Sequence, residues 1–246
     1  MRTFLLSSLF ALIAFLTAAP AHAQQSPAYG FFSDYNFNLY QADFRSFPGV
    51  PSCCPQYEDG TGGGLAIGLF YELPLAGQVR LALRGGYMTR SGAMKRTENT
   101  VVTGNVPAVF EHQVEASLAD VGLEPLVGVN LFSSLWLSVG GRIAAVTSKQ
   151  FSQREMIISP KVGVFPNGSS KRNEITDQPI PGAASVYGAI IGGLGYDVPL
   201  NSTRTLILSP EILFTLGITP VVSDVSWHSN AVRCGITLKY VPNISQ

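Results

Sequence analysis

The sequence predicts an all-β chain, a transmembrane antiparallel up-and-down β-barrel of eight strands. Three observations predict it. The 246 residues are 46% hydrophobic but only 13% charged, about half the charged share of an ordinary soluble domain. After the first 23 residues no apolar run approaches the roughly 18 residues of a membrane-spanning helix. Apolar residues instead recur at every second position, the period of a strand.

The first residues read as an export signal. Arg2 precedes an apolar run from Phe4 to Ala18, and Ala21-His22-Ala23 is a small-x-small cleavage site. The expected organisation is a signal peptide over 1–23 and a barrel domain over 24–246. Lys+Arg and Asp+Glu both number 16, so nothing in the charge balance suggests a nucleic-acid partner.

Strands follow in order. Tyr29, Phe31, Tyr35, Phe37 and Leu39 form one face of the first, with Asp34, Asn36 and Asn38 opposite. The second sets Leu65, Ile67, Leu69, Tyr71 and Leu73 against Ala66, Gly68 and Glu72. The third sets Leu81, Leu83 and Tyr87 against Arg80, Ala82 and Arg84. Val121, Leu123, Val127, Val129 and Leu131 oppose Glu124. Leu137, Val139 and Ile143 oppose Arg142, and Val186, Ile190, Leu194 and Tyr196 oppose Asp197. Leu208, Ile212, Phe214 and Leu216 oppose Glu211, and Val232, Cys234, Ile236, Leu238 and Tyr240 oppose Arg233 and Lys239. Alternation slips near Ala119–Val121, which suggests one long strand over Val109 to Leu131 with a β-bulge. An extra hairpin, giving ten strands, is the alternative.

Short connections (Pro74 to Gln78, Phe132 to Ser134, Leu200 to Thr205) contrast with long ones at 41–63, 90–108 and 147–184 and a shorter one at 218–225. Short turns on one rim and long loops on the other is the plan of an outer-membrane barrel. The aliphatic faces then meet lipid, with Tyr71, Tyr87, Tyr196 and Tyr240 in interfacial girdles. The candidate lumen network is Glu72, Arg80, Arg84, Glu124, Arg142, Asp197, Glu211 and Arg233, four acids and four bases. Two readings of it compete: a closed salt-bridge plug, or a selectivity ring in a small passive pore. Eight strands enclose an interior that side chains just fill, which favours the plug.

The stretches Asp34-Tyr35-Asn36-Phe37-Asn38-Leu39, Phe47-Pro48-Gly49-Val50-Pro51 with Cys53-Cys54-Pro55, Leu69-Phe70-Tyr71-Glu72-Leu73-Pro74-Leu75, Leu123-Glu124-Pro125-Leu126 and Leu216 to Asp224 resemble outer-membrane β-barrel proteins of the OmpA-like or Bacteroidota type. The resemblance spans most of the chain. It implies a bacterial outer-membrane location, surrounding outer-membrane lipid, insertion by the barrel assembly machinery, and a structural or surface-interactive role with a ligand or partner on the long loops. It carries no catalytic motif, and the peptidoglycan-binding domain that follows many such barrels has no counterpart before Gln246.

Chemistry beyond this is sparse. Adjacent Cys53 and Cys54, between Pro51 and Pro55, are a disulfide candidate in an oxidising compartment. Cys234 lies on the lipid-facing parity. Asp224, Ser226 and His228 raise a membrane-embedded lipid hydrolase, but spacing of two along a strand does not build a nucleophile–base contact. His112 and His228 lack a second ligand at metal spacing, Gly62-Gly63-Gly64 precedes a strand and so is no phosphate loop, and no cofactor motif appears.

Overall fold

The computed structural model describes residues 26–52, 56–102, 106–161, 163–165 and 168–242. The expected signal peptide lies outside the described residues. Among the described residues eleven strands form: β1 (Ala28–Asp43), β2 (Gly60–Ala76), β3 (Val79–Thr89), β4 (Gly92–Val102), β5 (Val106–Phe132), β6 (Leu135–Ser159), β7 (Lys171–Pro179), β8 (Val186–Tyr196), β9 (Val198–Pro199), β10 (Leu206–Gly217) and β11 (Ser226–Tyr240). All pair antiparallel. The ladder runs β1–β2–β3–β5–β6–β8–β10–β11 and returns to β1, so eight strands close the ring. Closure leaves no sheet edge in the ring, the condition that hydrocarbon imposes on a backbone that crosses it.

The outward face of the ring is apolar. Along β1, Tyr29, Phe31, Tyr35, Phe37 and Leu39 are 44–51% exposed, while Phe32, Asp34, Asn36 and Asn38 between them are buried. With a rise of about 3.3 Å per residue and a tilt of about 40°, Tyr29 to Leu39 climbs about 25 Å, the height of the apolar band on such barrels. The same outward rows continue around the ring in Leu69, Leu83, Leu123, Val139, Ile190, Phe214 and Ile236. On the turn-side rim Tyr29 faces Tyr71 and Tyr240 in register, and its ring meets Tyr240 edge-on at 5.4 Å.

The segments 90–108 and 147–184, expected as long loops, are mostly strand. β4 takes up the line of β3 beyond Arg90 and Ser91: β5 pairs with Thr89 at Ala119 and with Gly92 at Ala116. β7 pairs with the upper half of β6. These strands rise above the ring as an extension of the wall. They escape the lipid-type pattern because their outer face meets water. The extra hairpin of the ten-strand alternative does not form, because β5 runs unbroken through Val109 to Leu131; β4 and β7 arise outside that segment and stand above an eight-stranded ring.

The slip in β5 has the same cause. Its even residues point inward from His112 to Gly128 without interruption. Above Ala119 the inward residues are apolar (Val114, Ala116, Leu118), because water lies outside and a core lies within. Below it the outward residues are apolar (Val121, Leu123) and the inward ones include the charged Asp120 and Glu124 beside Leu126 and two glycines. The polarity inverts and the facing does not. The bulge expected on β5 belongs to its partner: Ala119 pairs with Ser148 and Asp120 with Val146, so Thr147 of β6 is the extra residue.

Candidate functional site

Three arginines of β3 and its end, Arg80, Arg84 and Arg90, point into the lumen and mark three tiers. In the lowest, Arg80 lies 2.9 Å from Asp197 and 3.4 Å from Glu72, and Lys239 lies 3.2 Å from Glu72 and 3.0 Å from Asp197. The Ser209 hydroxyl donates to Asp197. In the middle tier Arg84 reaches Glu211 at 2.8 Å and Asp34 at 3.1 Å, and Arg233 reaches Asp34 at 2.6 Å and Glu124 at 2.7 Å. In the upper tier Arg142 bridges Glu124 at 2.8 Å and Asp120, which also meets Arg90 at 2.8 Å. Glu124 thus belongs to both upper tiers. Each β3 arginine also stacks at 3.8 Å on an aromatic ring: Arg80 on Trp136, Arg84 on Phe32, Arg90 on Tyr187.

The six acids and six bases cancel. Cancellation matters because an unpaired charge in so dry a space costs several kcal/mol. No member is farther than 3.4 Å from an opposite charge. A cavity of about 40 Å³ between Glu72, Arg80, Glu211 and Lys239 has room for about three waters.

The structure places Glu72, Arg80, Arg84, Glu124, Arg142, Asp197, Glu211 and Arg233 together in this lumen. Asp34, Arg90, Asp120 and Lys239 join them, absent from the sequence-derived set. Asp34 and Lys239 share the inward parity of their strands and were findable on that signal. Asp120 sits where the polarity inverts, and Arg90 lies past the end of the aliphatic pattern, so neither had a clear one.

An apolar cap closes the lumen above the ion pairs. Phe44, Phe47 and Tyr57 of the first long connection are buried there with Tyr40, Met94, Leu118, Phe151 and Trp227. Phe47 packs against Phe151 at 4.9 Å and Trp227 at 5.9 Å, and Tyr40 meets Trp227 edge-on at 5.3 Å. Two backbone hydrogen bonds join Phe44 to Tyr57, and the Gln153 amide donates to the Pro51 carbonyl at 2.9 Å. Cys53 and Cys54, the disulfide candidate in this connection, lie outside the described residues.

The glycine run of β2 has a steric role. Asn36 and Asn38 of β1 donate across β2 to the carbonyls of Thr89 and Ser91 at 3.1 and 2.8 Å, and Tyr40 donates to the Arg90 carbonyl. A Cβ on Gly62 would fall on the Ser91 carbonyl oxygen, and one on Gly64 on that of Thr89. Only glycine lets the wall fold this closely there.

The remaining candidates are not assembled into chemistry. His228 sets Nδ1 3.2 Å from the Gly217 carbonyl oxygen, and among the described residues no hydrogen bond joins it to Ser226 or Asp224. Buried His112 stands between Glu98 at 3.5 Å and Glu155 at 3.4 Å. No cluster suited to a metal ion occurs among the described residues. Cys234 is exposed on the outer face.

No family model matches the chain, and no curated protein matches it. Several solved structures resemble it at low identity. Ail, the attachment invasion locus protein of Yersinia pestis, is 9% identical over 87% of this chain and 99% of its own, with a TM-score of 0.32. The outer membrane protein AlkL is 10% identical over 92% and 96%, with a TM-score of 0.44. The outer membrane protein OprG of Pseudomonas aeruginosa is 9% identical over 89% and 97%, with a TM-score of 0.33.

Proposed function

We propose that the chain is a bacterial outer-membrane barrel with a closed lumen and a structural or surface-interactive role. Its apolar belt sits in outer-membrane lipid, where the barrel assembly machinery inserts it, and the extension of β4 to β7 stands outside the cell as the surface for a ligand or partner. The OmpA-like kinship is part of this proposal and rests on the sequence stretches alone.

The observation that carries the closed lumen is the crossing of the interior by Arg233 and Glu124, 2.7 Å apart on opposed strands. A conducting path would have to part that contact, the tiers around it and the aromatic cap. The reading as a small passive pore loses support from this filling. A lipid hydrolase loses support from His228, which engages a backbone carbonyl.

Conductance across a planar bilayer tests the proposal. Purified protein that has inserted, as judged by protection of its belt from protease, gives no current steps. Regular steps at the same protein density overturn the closed lumen and favour the pore.

A further inference from the structure

Four residues line up across the sheet of the extension. Register pairs Arg96 of β4 with His112 of β5, His112 with Glu155 of β6, and Glu155 with Arg172 of β7. Below this row lie Met94, Val114 and Phe151 of the apolar cap. Phe110 and Phe165 carry the Arg172 guanidinium at 5.5 and 4.5 Å. His112 and Glu155 are fully buried. Arg172 holds Glu155 at 2.8 Å, and Arg96 meets Glu58, ahead of β2, at 3.0 Å. Glu98 of β4, with a side chain 44% exposed, reaches in to His112. Among the described residues no lysine or arginine lies within ion-pair distance of Glu98.

We propose that His112 is a proton-operated latch that fastens the edge strand β4 to the rest of this sheet. Donor geometry supplies the first argument. Nε2 faces Glu98 at 3.5 Å and Nδ1 faces Glu155 at 3.4 Å. A neutral imidazole has a single N–H and turns a lone pair towards the other carboxylate, whereas an imidazolium donates on both sides. Charge supplies the second. Glu58, Glu98 and Glu155 face Arg96 and Arg172 around the histidine, so one proton on His112 balances acids and bases. Position supplies the third. Beyond Met94, β4 pairs only with β5 among the described residues. It is therefore the strand free to fray, and Glu98 is its contact with the buried ring. The proton comes from water past the half-exposed Glu98. The docked strand favours the protonated ring more than the frayed one does, so β4 tightens as pH falls and loosens as pH rises. Imidazoles ordinarily change charge between about pH 5 and 8, and carboxylates below about pH 5, so the latch works within the imidazole range. It requires only that the extension stand in water, so it does not depend on the closed lumen.

Hydrogen–deuterium exchange of the full chain in lipid nanodiscs, read by mass spectrometry at about pH 5.5 and about pH 8 and corrected for the intrinsic pH dependence of amide exchange, tests the latch in peptides from β4. Their protection should be about fivefold higher in acid, the effect of one charge-assisted contact to a half-exposed carboxylate. Peptides from β10, in the ring, should show no such change. His112→Gln stays polar and takes up no proton; Glu98→Gln alters only the exposed partner. Each should flatten the dependence of β4. Equal protection at the two pH values, a looser β4 in acid, or a dependence that survives His112→Gln overturns the latch. Should His112→Gln lack the boiling-dependent electrophoretic shift of a closed ring, Glu98→Gln decides, and a dependence that survives it overturns the latch as well.

Discussion

Arg233 of β11 and Glu124 of β5 stand on strands opposite one another in the ring and still meet at 2.7 Å across the lumen. Each also binds a second partner, Asp34 at 2.6 Å and Arg142 at 2.8 Å. The pair therefore braces the barrel across its width and ties four strands together, and both side chains are essentially inaccessible to solvent.

Replacing Arg233 by Met roughly keeps the volume, leaves Asp34 with Arg84 and Glu124 with Arg142, and sets six buried acids against five bases. Stability should fall by on the order of 3–5 kcal/mol, the usual result of breaking a buried pair on one side. Combining it with Glu124→Gln should recover part of that loss, because acids and bases in the lumen then balance again. Urea unfolding in lipid micelles reads both; losses that simply add would mean the two residues are not coupled.

The cap is tested through Trp227, which is fully buried against Phe44, Phe47 and Tyr40. Phe47→Ala removes the ring that spans Phe151 and Trp227 and should cost about 3–5 kcal/mol. Tryptophan emission should shift to the red. The second tryptophan, Trp136, lies in the lower lumen under Arg80 and serves as the unmoved background. Unchanged emission would show that the first connection does not seal the mouth.

Glycine at position 64 is a steric requirement. Gly64→Val would drive a side chain into the Thr89 carbonyl and push β2 away from β3. Overpacking of this sort costs about 1–3 kcal/mol, and here it acts on ring closure. The yield of the fast-migrating, unboiled band should drop sharply relative to wild type, while Gly192→Ala, whose added Cβ would meet nothing nearer than 4.0 Å, should change that yield much less. Equal yields would refute the corner at Gly64.

Cys234 reports the facing of β11. It is exposed on the outer wall between Val232 and Ile236. In vesicles, a lipid-soluble maleimide should modify the peptide that contains it, and a charged, water-soluble one should not. Fast reaction with the charged reagent would place the residue in water and reverse the inside–outside assignment of Arg233 and Lys239.

Heating supplies a test of the closed ring as a whole. A ladder without free edges resists unravelling in detergent, so unboiled protein should migrate apart from boiled protein, with a β-type circular dichroism spectrum. Identical migration together with a helical spectrum would exclude the barrel.

Local pattern was enough to orient the ring. A strand alternates faces at every residue, and lipid accepts only one kind of face, so the positions of Tyr29, Leu69, Leu83, Leu123 and Phe214 reveal their own exposure and, by parity, the inwardness of Glu72, Arg84, Glu124 and Glu211. The same rule failed wherever the solvent outside the wall changed. Asp120 lies at that boundary and the strands β4 and β7 lie beyond it; with water outside, they lack the aliphatic rows that reveal a strand in lipid, and so read as loops.

What each inward charge touches was decided only by closure. Asp34 and Arg233, 199 residues apart in the chain, are brought together by the pairing of β1 with β11 that closes the ring, and Arg233 and Glu124 by the reach of long side chains across it, and no local pattern encodes either. The cap is tertiary in the same sense: Phe47 and Tyr57 belong to an irregular connection, and they are core residues only because the first loop folds down onto Phe151 and Trp227 and removes those rings from water.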